Sequence, residues 1–264
     1  MTATPGTAPA GVSADAAAPL VAARDVAVHF DGVRALDGVS LSVVEGEVLG
    51  LIGPNGAGKT TLMNVLSGFQ RPSQGSVELM GRDATRWGPE RTARVGISRT
   101  FQAVRPFPAL TVRENIEVGA LGVGTPRAEA RRRTARIIEA LGLRDRAGDP
   151  AQGLPHGDER RLGIARALAS APRVMLLDEP AAGTNEAESD HLVQTLLRVR
   201  SDFECTLVII EHDMRLIMSI CDRIQVLDHG KTIADGTPAK VRSDPAVLQA
   251  YLGHGITEQR DAGR

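Results

Sequence analysis

One glycine-rich segment limits what this chain can fold into more than any other feature of its sequence. It matches the pattern G-x-x-x-x-G-K-[ST] and consists of Gly53, Pro54, Asn55, Gly56, Ala57, Gly58, Lys59 and Thr60. Residues 47–52 before it predict a strand. After it, apolar residues at helical spacing predict a helix with one face formed by Leu62, Val65, Leu66 and Phe69. A strand, a glycine-rich turn and a helix in this order are the context in which such a turn binds phosphate.

The residue types in this segment suit a phosphate ligand. Glycines let successive backbone N–H groups point at phosphate oxygens, and the helix N-terminus adds partial positive charge. Lys59 would place a compact charge on the β- and γ-phosphates, and Thr60 would bind Mg²⁺ through its hydroxyl. Only three of the 31 Lys and Arg residues are lysines, at positions 59, 231 and 240, which supports a specific need for lysine here. The segment therefore predicts a site for a nucleoside triphosphate.

Two carboxylates follow a second apolar run. Residues 174–177 predict a buried strand, and Asp178 and Glu179 come directly after it. Buried strands that alternate with helices indicate an α/β domain with a mostly parallel sheet, in which ligands bind at the carboxyl ends of the strands. We expect Asp178 to hold Mg²⁺ through water and Glu179 to act as the general base on the attacking water.

A third predicted strand, residues 206–210, leads into Glu211, His212 and Asp213. His212 would lie at a strand end, where it could bind the γ-phosphate or hold the attacking water; the alternative is a surface histidine without a role. The five other histidines, His191 and His229 among them, are expected to be surface residues outside the site.

Composition narrows the class of protein. With 31 basic and 32 acidic residues the net charge is −1, which argues against a general nucleic-acid binder because no positive field would attract phosphate backbone. No run of 18 apolar residues exists, which excludes a transmembrane helix. Cys205 and Cys221 are expected to be buried, reduced thiols. Residues 1–22 lack large apolar groups and predict a disordered tail.

Residues 127–141 predict a helix whose inward face carries Ile137, Ile138 and Leu141. Its first half is rich in arginine, at Arg127, Arg131, Arg132, Arg133 and Arg136. Two interpretations stay open for these arginines: a solvated helix face, or a contact with a partner or with lipid headgroups.

Four features together resemble the ATP-binding subunits of ABC transporters. They are the glycine-rich segment, Gln102 at the end of Arg99-Thr100-Phe101-Gln102, the acidic strand end, and a segment similar to the family signature L-S-G-G-Q. That last segment reads Leu154, Pro155, His156, Gly157, Asp158, Glu159, Arg160 and Arg161. The resemblance covers about residues 23–254, and the motifs stand in the family's order.

The resemblance implies a P-loop NTPase core with a mostly parallel sheet, an antiparallel β edge and an inserted helical subdomain. The ATP-binding domain would span residues 23–264 and the subdomain about residues 103–170. Two ATP molecules would lie in a head-to-tail dimer, each between the phosphate loop of one subunit, Thr61 included, and Gly157 of the other. Phe30 would stack on adenine, although a core phenylalanine is the alternative, and Gln102 would bind Mg²⁺ and sense the attacking water.

The chain departs from the family pattern at four positions. Pro155 stands in place of the signature serine, His156 in place of a glycine and Asp158 in place of glutamine, while Thr184 occupies a position usually held by leucine. Loss of the serine removes one hydrogen bond to the γ-phosphate, which would weaken or rearrange dimer closure. An L-P-[YH]-G form nevertheless resembles one branch of the family, the importers for branched-chain amino acids and related amides.

These features predict the ATP-hydrolysing subunit of an importer for branched-chain amino acids, peripheral to the cytoplasmic face of the membrane. Implied partners are a second ATPase subunit, identical or paralogous, separate permease subunits and an extracytoplasmic solute-binding protein, with no nucleic acid. The permease would dock in a groove after Gln102 where Phe107, Pro108 and Leu110 are apolar. The alternatives are a urea or amide importer and, in a different class, a soluble regulator that acts on ribosomes or DNA.

Overall fold

The computed structural model of the chain describes residues 18–30, 32–101 and 105–251. Within these ranges the strands are β1 (Val21–Phe30), β2 (Val33–Val43), β3 (Val48–Ile52), β4 (Gln74–Leu79), β5 (Arg82–Asp83), β6 (Ile97–Arg99), β7 (Val174–Asp178), β8 (Thr206–Ile210), β9 (Arg223–Asp228) and β10 (Lys231–Gly236). The helices are α1 (Lys59–Leu66), α2 (Pro89–Arg94), α3 (Val112–Gly122), α4 (Arg127–Ala140), α5 (His156–Ala169), α6 (Glu186–Asp202), α7 (Met214–Ile220) and α8 (Pro238–Arg242). A single 3-10 turn covers Arg144–Arg146.

The larger sheet has six strands in the order β10-β9-β3-β8-β7-β6. Five of them run parallel, and β10 pairs antiparallel with β9 at one edge. Every residue of β3, β7 and β8 is buried, as expected for strands covered on both faces. The three strands predicted at residues 47–52, 174–177 and 206–210 are therefore confirmed, and so is the α/β class with a mostly parallel sheet.

The antiparallel part of the fold is more extensive than the expected edge. Strands β2, β1, β4 and β5 form a separate four-stranded sheet in that order. Its first strand begins at Val21, where the side chain is 1% exposed. The chain is thus ordered before residue 23, and the boundary expected there for the tail is too late. Residues 1–17 lie outside the described part of the chain.

Two apolar cores lie on opposite faces of the six-stranded sheet because successive side chains of a strand alternate between faces. In β7, Met175 and Leu177 join the core beneath α3–α7, whereas Val174 and Leu176 join the core shared with α1 and the antiparallel sheet. Cys205 is in the first of these cores. Both cysteines are buried and free, as the sequence predicts.

Helix α1 is shorter than the apolar spacing suggests. It ends at Leu66, and Gly68 follows with a φ of 77°, a left-handed conformation that stops the helix. Phe69 therefore lies beyond the helix and is 56% exposed, so the prediction that it belongs to the buried face is wrong. Leu62, Val65 and Leu66 are buried as expected.

Helices α3, α4 and α5 pack together between the edge strand β6 and strand β7 in the chain. A capping box at Thr111 and Glu114 begins α3. In α4, Ile137 and Ile138 are buried, while Arg133 is paired with Glu129 and the carbonyl of Ala169. These helices fall inside the range expected for the helical subdomain. No helix in the described part of the chain is both long and apolar enough to cross a membrane.

Candidate active site

The glycine-rich segment forms the turn between β3 and α1, and close packing explains two of its glycines. A Cβ on Gly53, where φ is 149°, would lie 2.0 Å from the carbonyl oxygen of Leu227. A Cβ on Gly58, where φ is 103°, would lie 2.5 Å from the carbonyl oxygen of Ala35. Both positions combine a left-handed φ with no room for a side chain, so only glycine fits. The loop is therefore held against β2 and β9.

Lys59 begins α1 and is 6% exposed. Its ammonium donates hydrogen bonds to the carbonyls of Gly53, at 2.7 Å, and Pro54, at 2.9 Å. Burial lowers the pKa of Lys59, and the negative charges of Glu179 and Asp178 oppose that shift. The ammonium of Lys59 is thus held inside the loop, where the charges of Asp178 and Glu179 at the end of β7 act on it.

A cavity of about 350 Å³ opens between this loop and the ends of β7 and β8. Nine of the predicted site residues line it: Asn55, Gly56, Ala57, Gly58, Lys59, Thr60, Thr61, Glu179 and His212. Four further residues line it that the sequence did not single out for the site: Val33, Arg34, Ala35 and His229. His229 is exposed, as expected, but it borders the site rather than lying away from it.

Glu179 and His212 meet at the ends of adjacent parallel strands. Asp178 pairs in register with Ile210, which brings the residues after β7 and β8 to the same edge. His212 Nε2 lies 3.1 Å from Glu179 Oε1. Glu179 has a φ of 48°, an uncommon conformation for a residue other than glycine, and such backbone strain clusters at functional sites. A carboxylate and an imidazole in contact can share the binding of one water molecule and accept its proton.

Glu211 fixes the two loops around that pair, and sequence reasoning gave it no role. The side chain is 4% exposed and accepts hydrogen bonds from the backbone N–H groups of Ala181 and His212, the latter at 3.0 Å. Burial raises the pKa of Glu211, while its backbone hydrogen bonds oppose that shift. The carboxylate thus ties the loop after β7 to the loop after β8.

Asp178 is 8% exposed at the end of β7, and Arg99 holds one of its oxygens at 2.8 Å. Its backbone N–H lies 3.3 Å from Thr100 Oγ1. Thr60 is exposed at the cavity. A carboxylate and a hydroxyl are the oxygen donors that Mg²⁺ accepts beside phosphate oxygens and water, so these two residues fit that ion. In the described ranges no group of three or more His, Cys, Asp or Glu side chains could hold a metal ion.

Phe30 ends β1 and pairs in register with Val33, which lines the cavity. The ring is 46% exposed, which removes the alternative of a core phenylalanine. Phe30 itself does not line the cavity of about 350 Å³. Its stacking on adenine stays a prediction.

Gly157 lies in the first turn of α5 and does not line the cavity of its own chain. The charge of neighbouring Asp158 is neutralised within the protein, since its buried carboxylate pairs with Arg161 and, at 3.4 Å, with Arg146. His156 is fully exposed at the start of the same helix. Of the three departures within the signature segment, the aspartate therefore adds no free negative charge to this surface.

Gln102 lies outside the described residues. A groove of about 750 Å³ adjoins that position, and its wall contains Phe101 and Phe107, which are 50% and 46% exposed. Pro108 and Leu110 do not line the groove, so only one of the three apolar residues expected there does.

Tyr251 also contacts the phosphate loop, and the sequence did not predict this contact. Burial raises the pKa of the Tyr251 hydroxyl, and a hydrogen bond with the backbone of Gly53 opposes that shift. Ala250 beside it is buried. The C-terminal end of the described chain therefore touches the first glycine of the loop.

The chain is similar to known proteins. A family model described as ABC transporter matches residues 36–182, and one described as Branched-chain amino acid ATP-binding cassette transporter matches residues 231–257. The chain is 42% identical to the high-affinity branched-chain amino acid transport ATP-binding protein LivG of Salmonella typhimurium and 40% identical to BraF of Pseudomonas aeruginosa. Each alignment covers 89% of this chain and 98% of the relative.

Solved structures of ATP-binding cassettes have a similar fold. A nucleotide-free ATP-binding cassette from an ABC transporter superposes with a TM-score of 0.80 at 31% identity. The ADP conformation of an ATP-binding cassette superposes with a TM-score of 0.81 at 31% identity. Each alignment covers 89% of this chain and 99% of the solved chain. With the phosphate loop, Glu179 of the acidic strand end and His212 assembled at one cavity, the chain belongs to the ATP-binding cassette ATPases of ABC transporters.

Proposed function

We propose that this chain is the ATP-hydrolysing subunit of an ABC importer for branched-chain amino acids. The observation that carries the solute class is the C-terminal match. Residues 231–257 fit the branched-chain amino acid cassette model, and the described part of that segment includes Tyr251 at the phosphate loop. Identity of 40–42% to LivG and BraF along nearly their whole length supports the same class.

The residues at the cavity divide the work of hydrolysis. Backbone N–H groups of the loop and the ammonium of Lys59 bind the phosphates. Thr60, Asp178 and Gln102 would hold Mg²⁺, which would supply positive charge to the phosphates. Glu179 accepts the proton of the attacking water, and His212, 3.1 Å away, holds Glu179 or the water in place.

The surfaces around this site support a larger assembly. A second ATPase subunit covers the cavity and contributes the start of its own α5, where backbone N–H groups at Gly157 face phosphate. Permease subunits dock in the groove that Phe101 and Phe107 line. The chain then lies at the cytoplasmic face of the membrane, and an extracytoplasmic binding protein delivers the solute.

ATP hydrolysis by the reconstituted complex tests the solute class. The chain, its permease subunits and the binding protein are placed in lipid vesicles, and phosphate release is measured with leucine, isoleucine, valine or urea. We expect the three amino acids to stimulate hydrolysis and urea to leave it at the basal rate. Stimulation by urea alone would contradict the branched-chain assignment.

A further inference from the structure

The end of strand β6 carries a buried arginine that the catalytic scheme above does not use. β6 is the edge strand beside β7, and Arg99 pairs in register with Leu176. The parallel register places Arg99 at the same sheet edge as Asp178. The side chains of Arg99 and Asp178 are 5% and 9% exposed, so their ion pair is shielded from water.

Arg99 makes its polar contacts through the two terminal nitrogens of its guanidinium, Nη1 and Nη2. Nη2 lies 2.8 Å from Asp178 Oδ2, while Nη1 donates to Asn64 Oδ1 at 2.5 Å and lies 3.3 Å from Ser67 Oγ. Asn64 belongs to α1, the helix that the phosphate loop begins, and Ser67 directly follows it. One rigid guanidinium therefore links the end of β7 to the helix that follows the phosphate loop.

The face of the same guanidinium is also occupied. Its carbon lies 5.0 Å from the ring centroid of Phe101, and that ring packs edge-on against Phe69 at 5.6 Å. The chain continues from Phe101 directly into Gln102. Contacts of Nη1 and Nη2 and packing across its face restrain the guanidinium, and through it the Asp178 carboxylate, while the buried Nε makes no hydrogen bond.

We infer that Arg99 is a positioning residue for Mg²⁺ binding: it holds Oδ2 of Asp178 and leaves Oδ1 directed to the metal. The inference rests on the proposed role of Asp178. Residues that orient a metal ligand without touching the metal contribute about 10–100-fold to metal affinity. A lysine at this position keeps the charge, but it cannot reach Asp178 and Asn64 at once as the planar fork does.

A purely structural role for Arg99 predicts a different outcome. If the ion pair only joined β6 to β7, its loss would weaken nucleotide binding equally with and without the metal. If Arg99 positions the metal ligand, only the gain in nucleotide affinity that Mg²⁺ provides would fall. The ratio of the two affinities separates these roles.

The experiment measures ADP binding to the full-length chain by calorimetry, once in Mg²⁺ and once in EDTA. For Arg99→Lys we expect the affinity gain from Mg²⁺ to fall by about tenfold or more, with affinity in EDTA unchanged. The matched control is Arg166→Lys. Arg166 donates to the carbonyl of Arg105 and stacks on Phe107 in the same groove, but makes no contact with Asp178. It should keep the wild-type ratio.

Three outcomes would count against the inference. An unchanged ratio in Arg99→Lys overturns it, and so does an equal loss of affinity in both conditions. If Arg99→Lys does not fold, Asn64→Ala removes the other arm of the fork; we expect about a threefold fall in the ratio, and no fall overturns the inference.

In Asp178→Asn, an unchanged ratio would instead remove the proposed metal role of Asp178. Loss in Asp178→Asn with none in Arg99→Lys removes the inference about Arg99 alone.

Discussion

Glu179 follows an apolar strand, adopts a φ of 48° and meets His212 at 3.1 Å. At the level of single residues, the backbone geometry of Glu179 and His212 sets the positions of their side chains. The Glu179 carboxylate is 22% exposed, so water reaches it. Its negative charge interacts electrostatically with the ammonium of Lys59. A carboxylate that water reaches beside a cation is suited to act on a bound water molecule.

Glu179→Gln tests the assignment of the general base. The amide keeps the size of the side chain but cannot accept the proton, so we expect the rate of phosphate release to fall about 10²–10⁴-fold with ATP affinity retained. Phosphate release and ATP binding are measured on the same preparation. Glu186→Gln, an exposed glutamate in the first turn of α6, is the control and should leave both values unchanged. Wild-type turnover in Glu179→Gln would contradict the assignment.

Local patterns in the sequence predicted those candidate site residues whose positions depend on adjacent segments of the chain. Lys59 and Asp178 are examples, because a loop motif and a strand end locate them. Arg34, His229 and Arg99 were missed because they reach the site through β2, the β9–β10 turn and the β6–β7 register. No spacing within the sequence encodes those long-range pairings.

At the scale of elements, the loop after β7 is fixed at both ends. Glu211 binds the N–H of Ala181 near its start, and at its end Asn185 and Glu188 form a capping box that begins α6. Thr184, which departs from the family pattern, donates to the carbonyl of Ala181 at 2.7 Å. The threonine thus stabilises the turn from within.

Asn185→Ala removes the side-chain acceptor for the N–H of Glu188 and should lower the free energy of unfolding by about 1 kcal/mol. Urea unfolding followed by circular dichroism measures this change. Asn185→Asp is the matched control, since aspartate caps a helix as well as asparagine does. Equal stability of the alanine variant and the wild type would show that the cap does not stabilise α6.

Elements were predictable where their apolar pattern is short and unbroken, as in β7 and β8. The pattern failed at Phe69 because it records spacing but not the glycine that ends α1. It also gave no sign that β1, β2, β4 and β5 would form a sheet of their own, since that sheet depends on pairings between distant segments.

At the scale of the whole molecule, the parallel sheet is sealed between two apolar cores. Both cysteines are buried there, and burial raises the pKa of Cys205 and of Cys221 to about 12. An ordinary thiol with a pKa of 9.0 ionises first in the unfolded chain. Each thiol therefore reduces stability as pH rises from about 9 towards 12.

Thiol labelling reports on this core. In the native protein at mildly alkaline pH we expect neither cysteine to react with Ellman's reagent, because burial keeps both protonated and inaccessible. In urea both should react. Cys205→Ser is the control and should remove one equivalent of the signal in urea. Rapid labelling of the native chain would mean that the core opens without global unfolding.

We propose that ATP bound at this phosphate loop powers uptake of branched-chain amino acids. Uptake of radiolabelled leucine by cells that carry this chain as their only copy of the subunit tests it most directly. Lys59→Ala removes the cation of the loop and should abolish uptake, whereas Lys240→Ala, an exposed lysine on α8, should retain the wild-type rate. Wild-type uptake by the Lys59→Ala cells would show that ATP at this loop does not power uptake.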